Sequence, residues 1–107
     1  SFGEIGAIRL AGAGSRLGIA EGIETSICAS KRFGLPVWAA TCAHGLESWE
    51  PPTGVSEVWI FGDNDASYTG QAAAYSLAKK LTTKGLAVQV HIPGQVDTDW
   101  ADNPVAA

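Results

Sequence analysis

The chain has no apolar run long enough to span a bilayer and no signal-peptide pattern at its start, so no membrane role is expected and a cytoplasmic location is. It is also short of cations. Seven Lys and Arg residues against eleven Asp and Glu leave a net charge of −4, the opposite of the basic face that a freestanding nucleic-acid binder shows. An acidic domain can still act on nucleic acid where metal ions offset its site and another domain supplies affinity. Cysteine is scarce: Cys28 and Cys42 have neither CxxC spacing nor a histidine pattern beside them, which argues against zinc and makes two free, structural thiols the expected state, with a single disulfide the alternative. Long-range repeats and low-complexity tracts are absent as well.

What is present is apolar content. At 46% of 107 residues it suits one folded domain with one modest core and argues against disorder. Ser1 is no initiator and Ala107 follows no closing element, so the segment is expected to be cut from a longer chain. Residues 1–15 are Gly- and Ala-rich, and their short apolar piece, Ile5 to Leu10, is expected to form a strand or hairpin connecting to a preceding domain.

From residue 16 onward, short apolar runs alternate with helical patterns. Leu17 to Ala20 is a buried strand by its length and composition, followed by Glu21-Gly22 and then Ile23, Ile27 and Cys28 at helical spacing up to Phe33-Gly34. Gly34 is a stop signal. Pro36 to Ala40 is the next strand, and the stretch from Thr41 to Gly54, with Pro51-Pro52, predicts a loop with about one helical turn. Val58 to Phe61 is a third strand. Gly70 to Lys84 predicts an amphipathic helix whose stripe is Ala73, Ala74, Leu77, Ala78 and Leu81, with Gln71, Lys79, Lys80 and Lys84 off it. Leu86 to Ile92 alternates as a fourth strand before Pro93-Gly94. The order β-α-β-loop-β-α-β implies an α/β fold, a Rossmann-like open sheet of about four mainly parallel strands flanked by helices.

A parallel sheet makes one site out of separate turns. All strand ends with the same sense lie along one edge, so Glu21, Thr41, Asp63, Asp65 and the tail acids gather there, where open α/β sheets bind ligands. The pivotal stretch is Val58 to Gly70, in which an apolar strand stops at Gly62 and releases Asp63 and Asp65, with neutral Asn64 between them. Asp and Asn are ordinary turn residues, and Glu21 alone could simply favour a helix dipole. Together, three carboxylates at one edge repel one another unless a cation joins them. Hard cations take oxygen ligands, and Mg²⁺ needs only one or two carboxylates from the protein.

These residues carry a family resemblance. Glu21-Gly22 after an apolar strand, then D-x-D after a later strand with a helix following, resembles the Toprim domain, the catalytic domain shared by bacterial-type primases, type IA and type II topoisomerases and OLD-family nucleases. I-A-E-G-I-E-T-S-I (Ile19 to Ile27), F-G-D-N-D with Gly70 following, and D-W-A-D (Asp99 to Asp102) are similar to Toprim domains of primases and primase–helicases of phages, plasmids and integrated elements. The resemblance implies a catalytic domain over 16–107. Glu21 would be its general base or metal ligand, and Asp63 and Asp65 would be the D-x-D holding Mg²⁺ or Mn²⁺. Asp99 and Asp102 would reach a second metal or its waters, and Gly22 and Gly70 would be substrate contacts. Apart from the resemblance, His44 is a candidate phosphate contact from its loop, against the plain reading of a solvated loop histidine. Ala101 departs from the Asn common in close relatives, and Gly70 comes later than the family's glycine, implying a longer loop over 66–69.

The resemblance further implies metal-dependent nucleotidyl or phosphoryl transfer on nucleic acid, with RNA primer synthesis leading. DNA template and nucleoside triphosphates would be met through the full-length protein, with zinc-binding and helicase domains in the same chain or complex. A Toprim nuclease and a non-catalytic module of a replication protein are the alternatives. A response-regulator-like phosphoacceptor would need a Lys at the end of a following strand, which is missing.

The remaining residues have plain roles. Glu24 is expected to serve a helix dipole and Tyr68 to pack in its loop. Trp38 and Trp59 are expected in the core, Trp49 and Trp100 at surface contacts, and Lys79, Lys80 and Lys84 on a solvated face.

Overall fold

The computed structural model describes residues 15–93. The expected strand or hairpin at Ile5 to Leu10, Asp99, Trp100, Asp102 and the boundary at residue 15 therefore fall outside the described residues or at their limit.

Four strands, β1 (Arg16–Ala20), β2 (Val37–Ala39), β3 (Glu57–Phe61) and β4 (Ala87–His91), form one sheet in the order β2-β1-β3-β4, every pair parallel. Three helices connect them: α1 (Ile23–Phe33), α2 (Ala43–Ser48) and α3 (Thr69–Thr83). The expected α/β sheet is the observed one, and strand ends differ from expectation by a residue or so.

Side chains alternate across the sheet as a strand requires. Leu17, Ile19, Val58 and Ile60 point to the side of α2 and α3, where they bury with Trp38, Leu46, Trp49, Leu77 and Leu81. Ala20, Val37 and Phe61 point the other way and pack with Ala29 and Leu35 around α1. Within α1, buried Ser26 directs its hydroxyl at the Gly22 and Trp38 carbonyls, at 2.8 and 3.1 Å, tying the helix to β2.

At α2 one expectation is extended and another fails. Residues 43–48 are a helix, somewhat more than the single turn predicted within a loop, so helices and strands alternate without interruption. The sequence hides it because six residues show no period, and Gly45 sits in the middle. That glycine is there for closeness: a Cβ on it would stand 2.6 Å from the Ala40 carbonyl oxygen. Trp49, expected at the surface, caps the helix and is 1% exposed, meeting Trp38 edge-on at 6.4 Å. Trp38 is core as predicted.

Trp59 is only half-buried. It lies on the α1 side of β3, stacked on His91 at 5.1 Å, with the Arg16 guanidinium 5.3 Å from its ring and its Nε1–H donated to Glu57 at 2.7 Å. Of the lysines expected on a solvated face, Lys79 and Lys84 are exposed, yet two of the three also make contacts. Lys80 donates to the Glu47 carbonyl at 3.1 Å and Lys84 pairs with Glu50 at 2.8 Å, so both fasten α3 to the α2 segment. Tyr68, expected to pack in its loop, is 70% exposed.

Candidate functional site

β1 and β3 are neighbours in the centre of the sheet, and the chain leaves β1 toward one side of the sheet and β3 toward the other. This is the switch point at which a parallel sheet opens a crevice beyond its strand ends. Ala20 pairs with Phe61 as the last rung, so Glu21 and Gly62-Asp63 leave the sheet side by side.

A cleft of about 370 Å³ lies there, with Glu21 and Asp63 on its walls, Gly22 beside them and Thr41 at the exit of β2. The first turn of α1, Ile23 to Thr25, supplies the rest of its lining. The first N–H groups of a helix have no intrahelical partner, and that end carries the positive pole of the dipole. One wall is therefore carboxylate, and another sets the anion-favouring helix end beside the Glu24 carboxylate.

Glu21 is half-buried. Its carboxyl titrates above the ordinary 4.5, first because burial disfavours the charged form and second because Asp65 adds negative charge nearby. A raised carboxyl stabilises the fold below its unfolded value, and that contribution is lost as pH rises through the folded one. Glu21→Gln is therefore expected to raise the melting temperature of the metal-free chain near neutral pH and to change little below 4.5. Thermal melts at both pH values check this. An equal effect at both would show that Glu21 is not the group responsible.

Asp63 and Asp65 behave differently. Asp63 lines the cleft, whereas Asp65 turns its Oδ2 onto the Gly70 N–H at 2.8 Å, at the start of α3. One oxygen of Asp65 is thus engaged by the start of α3. Gly70, expected to touch substrate, gives its N–H to that aspartate, and a Cβ on it would lie 2.7 Å from Asp65 Oδ2 and 2.8 Å from the Asp63 carbonyl oxygen. His44 is exposed in the first turn of α2 and is not part of the cleft lining. Glu24 is exposed and does line the cleft, besides standing in the first turn of its helix.

Among the described residues no three His, Cys, Asp or Glu side chains converge closely enough to hold an ion as a group. The donor set nonetheless suits a hard cation. Its donors are all oxygen: Glu21, Glu24 and Asp63 line one cleft, and Asp65 is near enough to raise Glu21. Mg²⁺ keeps several waters and asks no more of a protein.

Backbone strain concentrates at the same edge. Among the described residues only Thr41 (φ 75) and Tyr68 (φ 65) have positive φ without being glycine. Thr41 is β-branched, for which this conformation is costly, and its N–H holds the Glu21 carbonyl at 2.6 Å. Sequence pattern placed Thr41 at the edge but gave no sign of its conformation. It also missed the side chains that organise the 63–65 loop: Gln71 bonds both Asn64 and Asp65.

No helix among the described residues is long and apolar enough to cross a membrane. A family model described as a Toprim domain matches residues 16–107, from the first residue of β1 to the end of the chain. No curated protein and no solved structure matches. Toprim domains occur in enzymes that process nucleic acids and generally bind divalent metal ions. With an all-parallel sheet of the expected kind and a family match over most of its length, the chain belongs to the Toprim domain family.

Proposed function

We propose that this domain performs metal-dependent nucleotidyl or phosphoryl transfer on nucleic acid, and that its reaction is primer synthesis as the catalytic part of a primase from a phage, plasmid or integrated element. The observation that carries the reading is the sharing of one cleft by Glu21 and Asp63, against the N-terminal turn of α1. Phosphates suit that turn, since helix N-termini favour anions. Glu21, Asp63 and Asp65 would hold Mg²⁺ or Mn²⁺. When bound, such an ion offsets phosphate charge and helps form an attacking oxygen.

The chain's own groups do the rest. Glu21 is half-buried beside negative charge, so it accepts a proton or a cation more readily than a surface glutamate, which suits a general base. Ile23 covers one side of the cleft with apolar surface, and Thr25 and Thr41 are its uncharged polar residues. Template DNA and nucleoside triphosphates are the partners proposed, engaged with the help of zinc-binding and helicase domains.

The test is a calorimetric titration of the chain with Mn²⁺ and Mg²⁺, beside an Asp63→Asn/Asp65→Asn variant. Saturable binding by the parent is expected, with at least a tenfold loss in the variant. Equal binding by both would remove the D-x-D from the site. Primer synthesis from nucleoside triphosphates, set against nicking of plasmid DNA, then separates a primase from a nuclease built on the same carboxylates.

A further inference from the structure

The loop that presents Asp63 is held by a pair of side-chain amides. Gln71 stands in the first turns of α3, half-buried and off the apolar stripe. Its Oε1 accepts from the Asp65 N–H at 3.2 Å, and its Nε2 donates to the Asp65 carbonyl at 3.0 Å and to Asn64 Oδ1 at 2.9 Å. Asn64 then donates its Nδ2 to the Pro93 carbonyl, at 2.7 Å, just beyond β4.

Each amide fixes the other. Reversing Asn64 would set its NH₂ against the NH₂ of Gln71 and its oxygen against the Pro93 carbonyl. Reversing Gln71 would face its oxygen to two other oxygens and its NH₂ to the Asp65 N–H. Only one arrangement satisfies every group, so loop, helix and strand end are registered together. None of these bonds serves the backbone of α3 itself. The Gly70 N–H is already taken by the Asp65 carboxylate.

We propose that Gln71, acting through Asn64, is a positioning residue: the two amides latch the 63–65 loop to α3 and to the end of β4, and so set where Asp63 stands in the cleft. The inference rests on the reading of Asp63 and Asp65 as metal-holding groups. Mg²⁺ demands near-ideal geometry, and a site of this kind works only when its groups are held to within about 0.5 Å. A loop of Asp, Asn and small residues cannot supply that by itself. Three hydrogen bonds from one helical side chain can.

The test compares Gln71→Met and Asn64→Ala with the parent 107-residue chain, reading Mn²⁺ affinity by calorimetry, exchange of the Asp65 amide proton by NMR, and the melting temperature. Gln71→Met is expected to weaken Mn²⁺ by about tenfold or more and to speed exchange at Asp65, with the melting temperature lowered by several degrees but the fold retained. Asn64→Ala is expected to weaken Mn²⁺ in the same way, and the double variant to be little worse than the worse single one, since both break one unit. Should Gln71→Met fail to fold, Asn64→Ala carries the test. Mn²⁺ affinity within twofold of the parent in a folded variant would overturn the proposal. If the parent binds no Mn²⁺ while exchange at Asp65 still accelerates in Gln71→Met, the metal reading falls and the latch is a loop clamp only.

Discussion

Replacing Glu21 by Gln is expected to lower the proposed primer synthesis by a protein carrying this domain by about 10²–10⁴-fold, the usual contribution of a positioned general acid or base. The change keeps shape and removes the negative charge, so the cleft and the first turn of α1 should survive it. The same substitution is expected to stabilise the metal-free fold at neutral pH, because the ionised carboxyl is disfavoured by burial and by Asp65. Gain in stability with loss of activity is the pattern of a group retained for function. A steady-state assay beside thermal melts reads both effects. Activity within fivefold of the parent would sink the catalytic role of Glu21 and favour a module that keeps the fold for interaction alone.

The second large effect concerns the fold. Trp49→Ala is expected to cost about 3–5 kcal/mol of unfolding free energy, a large share of the 5–15 or so that a domain possesses. Trp49 is 1% exposed and joins Leu46 in the core that α2 and α3 build over β1 and β3. Urea denaturation of the variant measures this directly. A loss below about 1 kcal/mol is what a surface tryptophan would give, and it would mean that α2 adds little to the core.

These two residues show where the sequence was transparent and where it was not. Glu21 could be placed because strand direction alone determines which strand ends share an edge, and apolar runs mark parallel strands clearly. The helix over 69–83 was equally plain, since its stripe repeats through four turns. Trp49 could not be placed in this way. Its burial depends on a six-residue helix whose glycine is dictated by the Ala40 carbonyl, a neighbour outside the helix. Gln71 and Asn64 were opaque for a related reason. Periodicity marks a residue as off the apolar face, but it cannot say whether an off-face amide meets water or a loop six or seven residues back. The turn of Asp65 onto Gly70 likewise needs the loop's path, which no spacing rule supplies.

The central pairing of β1 with β3 has a bearing on how the protein comes into being. Arg16 registers with Glu57, and Ala20 with Phe61, so each rung closes a stretch of the chain that already contains α1, β2 and α2. Contacts this distant form slowly, because the chain must be gathered before they repay the loss of freedom. Glu21 lies at the start of that stretch, just after β1, and Asp63 just past its end, after β3. A nascent or half-folded chain thus lacks one wall of the cleft and would have no grip on a divalent ion. Where the ion does bind, it draws only on completed molecules and shifts the balance toward them.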